Sequence, residues 1–183
     1  MKNLVPVLLA TLITVAVVLP AEARAPRLPW VPSVLRVPAG HRISFRAFAE
    51  GVQIYTAIPS PDDPAKLAWA STAPEEVLFE DEGGIVASHY ALAGSTRRAE
   101  GSSRCSRVVA RRMVPPVTVD PTAIPWLRLD AARTEGAGIL RGTTFIQRVG
   151  TSGGLAPRTP PAAVGEQIRV PYTAEYVFYR SNR

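Results

Sequence analysis

"RISFRAFAE", residues 42–50, decides the fold. Ile43, Phe45, Ala47 and Ala49 fall on one side of an extended chain, and Arg42, Ser44 and Arg46 on the other. Successive side chains of a β-strand point to opposite faces, so this alternation predicts a strand with one buried face. The pattern recurs along the chain. In "GVQIYTA" (51–57) Val52, Ile54 and Thr56 oppose Gln53 and Tyr55. A short strand is expected around Trp69, and "IVASHYAL" (85–92) alternates again. "CSRVVARRMV" (105–114), "IPWLRLDAART" (124–134) and "TTFIQRV" (143–149) read as strands. In "RVPYTAEYVFYR" (169–180) Tyr172, Ala174, Tyr176 and Phe178 share one face, and Thr173, Glu175, Val177 and Tyr179 the other.

No window keeps a helical period between caps, and 18 prolines are spread over the 183 residues. The expectation is an all-β domain: an antiparallel sandwich or partly closed barrel of about eight to ten short strands. Any helix is short and falls near Pro74–Phe79.

The chain opens differently. Lys2 precedes the apolar run "LVPVLLATLITVAVVLP" (4–20), which ends in "AEARA" (21–25). A positive start, an apolar stretch and small residues at the end make a signal peptide of residues 1–23, cleaved after Ala23. Its rival, an uncleaved anchor, needs a longer apolar run of about 20 residues. Residues 24–40 hold Pro26, Pro29, Pro32 and Pro38, which favour an extended arm with Trp30 and Leu35 packed down. Residues 41–183 form the single β domain. Export implies a periplasmic or secreted protein with no transmembrane span after signal removal. Cys105 is the one cysteine, so no intramolecular disulfide forms and packing alone must hold the fold.

The net charge is +6. Outside the cytosol its partners would be anionic envelope surfaces or ligands, or it serves solubility alone. Six arginines and one glutamate lie in "STRRAEGSSRCSRVVARR" (95–112), where Arg107, Arg111 and Arg112 are candidate anion contacts. The alternative is an edge strand guarded by charge. Aromatic residues do not interleave with this run, which argues against nucleic acid.

Five segments, "GVQIYTA" (51–57), "HY" (89–90), "IPWLRL" (124–129), "TFIQRVGTSGGLAP" (144–157) and "VPYTAEYVFY" (170–179), occur in one order. Together they resemble the domain-of-unknown-function 3455 family of exported bacterial and fungal proteins, over roughly residues 35–180. The resemblance implies an exported domain with no established activity. It also implies two cysteines that pair in relatives, after the "IYT" run and after "GGLAP". Here Ala57 and "RTPPA" (158–162) stand in those places. A "GPxW" element expected after the His-Tyr pair is replaced by "ALAGSTR" (91–97).

The polar residues of these segments are Gln53, Tyr55, His89, Tyr90, Gln147, Arg148, Tyr172 and Tyr176. Gln147 shares its strand face with Phe145 and Val149, an inward face, so its amide must find buried partners. Gln53, Tyr55, His89, Trp126 and Gln147 are the candidate ligand-binding set, lining one pocket. In the competing reading they tie loops to strand ends. Gly153-Gly154 permits positive φ and close backbone approach at the strand's exit, and Pro157 keeps the chain from rejoining a central strand.

Catalytic motifs are missing. There is no Gly-x-Ser-x-Gly elbow, and "GTSGG" (150–154) lacks a P-loop lysine. His41, His89 and Cys105 match no metal-ligand spacing, and calcium at "EDEGG" (80–84) is a minor option. No metal or cofactor is expected. The reading is a non-catalytic exported domain binding a small polar or anionic envelope ligand. Its rivals are a carbohydrate or ester hydrolase using His89 with a carboxylate such as Glu175, and a purely structural envelope protein.

Overall fold

In the computed structural model, residues 30–80, 83–91, 98–103 and 106–183 are described. The expected signal segment, the first six residues of the arm, Asp81 and Glu82 of the acidic turn, and Cys105 lie outside them. Eight strands run in order: β1 (His41–Pro59), β2 (Leu67–Phe79), β3 (Ile85–Ala91), β4 (Arg98–Ser103), β5 (Ser106–Arg112), β6 (Leu127–Gly136), β7 (Thr143–Gly153) and β8 (Gln167–Ser181). Each pairs antiparallel with the next, and β8 returns to pair with β1, so the sheet closes into a barrel. The protein is all-β, as the period-two pattern requires. β5 pairs with both β4 and β6, so it is not the edge strand considered above.

Two stretches separated by Gly51 merge into the single strand β1 of 19 residues. Gly51 faces Glu76 on one side and Tyr172 on the other. A Cβ there would lie 2.5 Å from Glu76 Cβ and 2.6 Å from its Cα, so no other residue lets the strands come this close. Near its start β1 also contains an irregularity between Ile43 and Phe45. Phe45, Ala47 and Ala49 point into the barrel, while Ile43, one register shift away, packs on the outside.

Pro74–Phe79 is strand, not helix. Glu76 and Leu78 are buried in alternation with the more exposed Val77 and Phe79, and every residue from Pro74 to Phe79 pairs with β1. Thr72 is the extra residue of a bulge between Ile54 and Tyr55, close to the proline that has no N–H to give the ladder. The helical content of the described residues is one 3₁₀ turn, Ser33–Leu35. No helix among them is long and apolar enough to cross a membrane.

An eight-stranded barrel is just wide enough for side chains to fill. Ala47, Ala49, Leu78, Ala87, Val108, Ala110, Leu129, Ile146 and Phe178 do so. Loop residues join the same core: Ile124, fixed by its N–H to Gly153 O at 2.9 Å, and Leu140, whose N–H bonds Ser106 Oγ at 3.0 Å. A second cluster lies on the outer wall, where Val31 and Leu35 of the arm cover Val149, Val177 and Tyr179. Leu35 is fully buried, as expected of the arm. Trp30 is not: 71% of it is exposed, because Val31 takes the place on the wall and leaves the indole touching Trp126 edge-on.

Candidate functional site

The five candidate ligand-binding residues do not converge. β7 divides them. Its residue Gln147 pairs with Val177 and points outward, whereas Arg148 pairs with Tyr176 and points inward. Gln147 is buried as expected, but beneath the arm and not inside the barrel. Its Nε2 donates to Leu35 O at 2.7 Å, and its Oε1 accepts from the Tyr179 hydroxyl at 2.6 Å. Trp126 lies on the same outer side, against Trp30. Gln53, Tyr55 and His89 are all buried elsewhere.

Gln53 closes the β1–β2 bulge, donating to Ser71 Oγ at 3.0 Å and to Ala73 O at 2.8 Å. Tyr55 donates to Gly154 O at 2.6 Å. This bond anchors the glycine exit that the sequence marks. Gly153 and Gly154 have φ of +74° and +79°, and a Cβ on Gly154 would lie 2.9 Å from both Ile124 and Tyr172. Burial raises the Tyr55 pKa, against a backbone hydrogen bond at Ala156 and the nearby Arg148 charge. Tyr55 therefore ties the glycine exit of β7 to β1, and Gln53 bridges the bulge between β1 and β2.

His89 belongs to a polar cluster inside the barrel. Register places it opposite Glu76, and the two side chains make a buried hydrogen-bonded pair through His89 Nδ1 and Glu76 Oε1. The Tyr176 hydroxyl lies 3.3 Å from the same Nδ1. Burial first, and then the Glu76 charge, hold the Tyr176 pKa well above its ordinary value, outweighing Arg148. Arg148 donates to Pro125 O at 2.9 Å and lies over the Tyr172 ring, 5.6 Å from its centroid.

Little space adjoins this cluster among the described residues. His89 Nε2 has no hydrogen-bond partner and borders a cavity of about 10 Å³ among Leu78, Ala110, Leu129, Ile146, Tyr176 and Phe178. That is the threshold for one water molecule. Glu175, the carboxylate considered as a catalytic partner for His89, pairs instead with Arg46. The imidazole thus has a carboxylate beside it, Glu76, and among the described residues the space it borders is about 10 Å³.

Open space lies at the surface among the described residues: about 490 Å³ beside Glu50, Gly51, Gly153 and Tyr172, and a smaller cleft on the outer wall. A cleft of about 310 Å³ lies between the arm and the β7–β8 surface, bounded by Trp30, Arg36, Val37, Pro38, His41 and Tyr179, with Gln147 beneath. His41 Nδ1 lies 3.0 Å from Pro38 O, and its ring meets Phe145 edge-on at 4.9 Å, so the imidazole is held from both sides. Burial pushes the Tyr179 pKa up to about 12, with Arg46 opposing and Glu175 adding to the shift. The hydroxyl therefore stays a donor to Gln147.

The candidate anion contacts separate as well. Arg107 bonds Glu135 at 2.6 Å. Arg111 is exposed, and Arg112, the next residue of β5, alternates to the other face and is half-buried. Among the described residues no three His, Cys, Asp or Glu side chains gather as a metal site.

A family model described as "Protein of unknown function (DUF3455)" matches residues 38–180. The chain belongs to that family. No curated protein and no solved structure matches it. The match spans the barrel but for the last residue of β8 and leaves out Trp30, Val31, Arg36 and Val37, so the DUF3455 domain supplies the barrel wall of the cleft and the arm supplies most of the other. Trp30 and Arg36 were not singled out from sequence as site residues. The His89–Glu76 pairing depends on register, 13 residues apart in the chain. The cleft depends on where the arm lies, which no local pattern records.

Proposed function

We propose that this DUF3455 protein is a non-catalytic binding domain whose barrel is a rigid scaffold and whose ligand site is the cleft beneath the arm. The observation that carries the reading is the cleft itself. At about 310 Å³ it sits at the lower end of the range for small-molecule sites, about 300–1,000 Å³. It joins an exposed indole and a guanidinium on the arm to a packed barrel wall. The polar barrel interior, by contrast, offers His89 a void of about 10 Å³. A hydrolase would need Nε2 of His89 within reach of a substrate, and apolar side chains surround it.

The ligand in this reading is a small polar or anionic component of the cell envelope. Export fits it: the apolar run at 4–20 and the small residues at 21–25 have the form of a signal peptide. Protein recovered from the exported fraction should begin at Arg24, which N-terminal sequencing reads directly.

The binding test is a thermal-shift screen of small anions and polar metabolites, repeated on Trp30→Ala. Hits should lose their shift in the variant. Hits that keep their full shift in Trp30→Ala and lose it in His89→Gln would move the site into the barrel and end this reading.

A further inference from the structure

We propose that the cleft selects a flat, apolar body carrying one carboxylate, an aromatic monocarboxylate, held by Arg36 and the Trp30 ring. The proposal deepens the binding reading above and rests on it.

Three observations lead there. The first is charge. The cleft residues include one guanidinium, Arg36, and no carboxylate. Arg36 is exposed and makes no ion pair among the described residues, while Arg128 beside it is engaged by Asp130 at 3.2 Å and by Arg36 O at 2.8 Å. An unpaired guanidinium beside a concave apolar wall attracts an anion, and its planar fork matches a carboxylate with two parallel hydrogen bonds.

The second is that the cleft's polar floor is already spent. Gln147 is 1% exposed and Tyr179 3% exposed. The Tyr179 hydroxyl donates to Gln147, and Gln147 donates to Leu35 O. A sugar needs several donors and acceptors along its rim, and this buried floor, already hydrogen-bonded, favours recognition by charge and shape over recognition of a polyol.

The third is the remaining wall. Trp30 presents its indole to solvent while its edge rests on Trp126, 6.5 Å between ring centroids at 67°. Val37 and Pro38 face the same space. An aromatic ring exposed beside an aliphatic wall takes a flat apolar body, and the neighbouring aromatic contact holds it in place for stacking.

The experiment titrates the full chain with four probes, following binding calorimetrically: 2-naphthoate, 2-naphthamide, 2-naphthyl phosphate and glucose. Naphthoate should bind about tenfold or more tightly than the amide, the value of one charge-assisted hydrogen-bond pair. Arg36→Gln should bring naphthoate down to the amide and leave the amide unchanged, with Arg36→Lys intermediate. Trp30→Ala should weaken both. Circular dichroism and thermal midpoint establish that each variant is folded.

Equal affinity for naphthoate and naphthamide, with Arg36→Gln silent, overturns the carboxylate assignment while the cleft stands. Tighter binding of the phosphate, or binding of glucose alone, overturns it too. Probes that bind with no response to either substitution overturn both the assignment and the cleft reading beneath it, as does binding by none of the four.

Discussion

Gln147 and Arg148 are neighbours in sequence and sit on opposite sides of the barrel wall. Inside, Arg148 joins Glu76, His89 and Tyr176 in a buried cluster with space for about one water. Outside, Gln147 and Tyr179 form the floor of a cleft of about 310 Å³. Both groups are buried and hydrogen-bonded. They differ in access. Buried polar side chains near one another are therefore insufficient to mark a functional site: the inner cluster has the chemically richer set and borders a space of about 10 Å³ among the described residues, whereas the outer pair has its polar atoms engaged and lies beside a cleft of about 310 Å³.

That contrast can be broken from the inside first. Glu76→Ala leaves His89 and Tyr176 facing an empty place in the core, and removing one partner of a buried pair costs about 3–5 kcal/mol. Urea unfolding should show that loss, and ligand affinity at the cleft should not change in the protein that remains folded. Gly51→Ala should cost about 3 kcal/mol, because its Cβ would meet Glu76 Cβ at 2.5 Å and the β2 backbone at Glu76 Cα at 2.6 Å. A milder loss would mean that β1 and β2 can separate locally, and that the inner cluster is less rigid than described here.

The outer wall should be softer. Tyr179→Phe leaves Gln147 Oε1 without its donor and should cost about 1–2 kcal/mol. The wild type also carries a pH signature. Tyr179 is an acid whose folded-state pKa of about 12 lies above the ordinary value of 10.0, so the native state holds this proton more tightly. Its contribution is whole below about pH 10, falls as pH rises, and is gone above about 12, a loss of about 2 kcal/mol. Tyr55 and Tyr176, raised for the same first reason of burial, add to the slope. Urea midpoints between pH 8 and 12 should decline, and Tyr179→Phe should flatten part of that decline. The smallest effect belongs to Trp30→Ala, within about 0.5 kcal/mol of wild type in stability, since most of the side chain is already in water.

The sequence told the fold class plainly and the site poorly, for physical reasons. Alternation is a local property, so Phe45, Ala47 and Ala49 announce an inner face, as do Tyr172, Ala174, Tyr176 and Phe178. The glycine exit was equally legible: two adjacent residues at positive φ need no tertiary knowledge to be recognised. Parity alone does not say which face is inside. Phe145, Gln147 and Val149 have the apolar pattern of an inner face and occupy the outer one, because the arm buries them. One irregularity near Ile43 reverses its side, and Pro74–Phe79, which read as possible helix, is strand because it pairs residue by residue with Phe48–Gln53. The candidate ligand set failed to converge for the same reason. Gln53, His89 and Gln147 share a polar character that sequence shows and a location that only closure of the barrel decides.

The central claim is that ligand binds outside the barrel wall and not within it. The most direct measurement is backbone and side-chain chemical-shift mapping of the labelled full chain titrated with 2-naphthoate. Perturbations should centre on Trp30, Arg36, His41 and Tyr179, with the His89 and Tyr176 ring signals unmoved. Saturable shifts at His89 and Tyr176, with the arm unaffected, would contradict it.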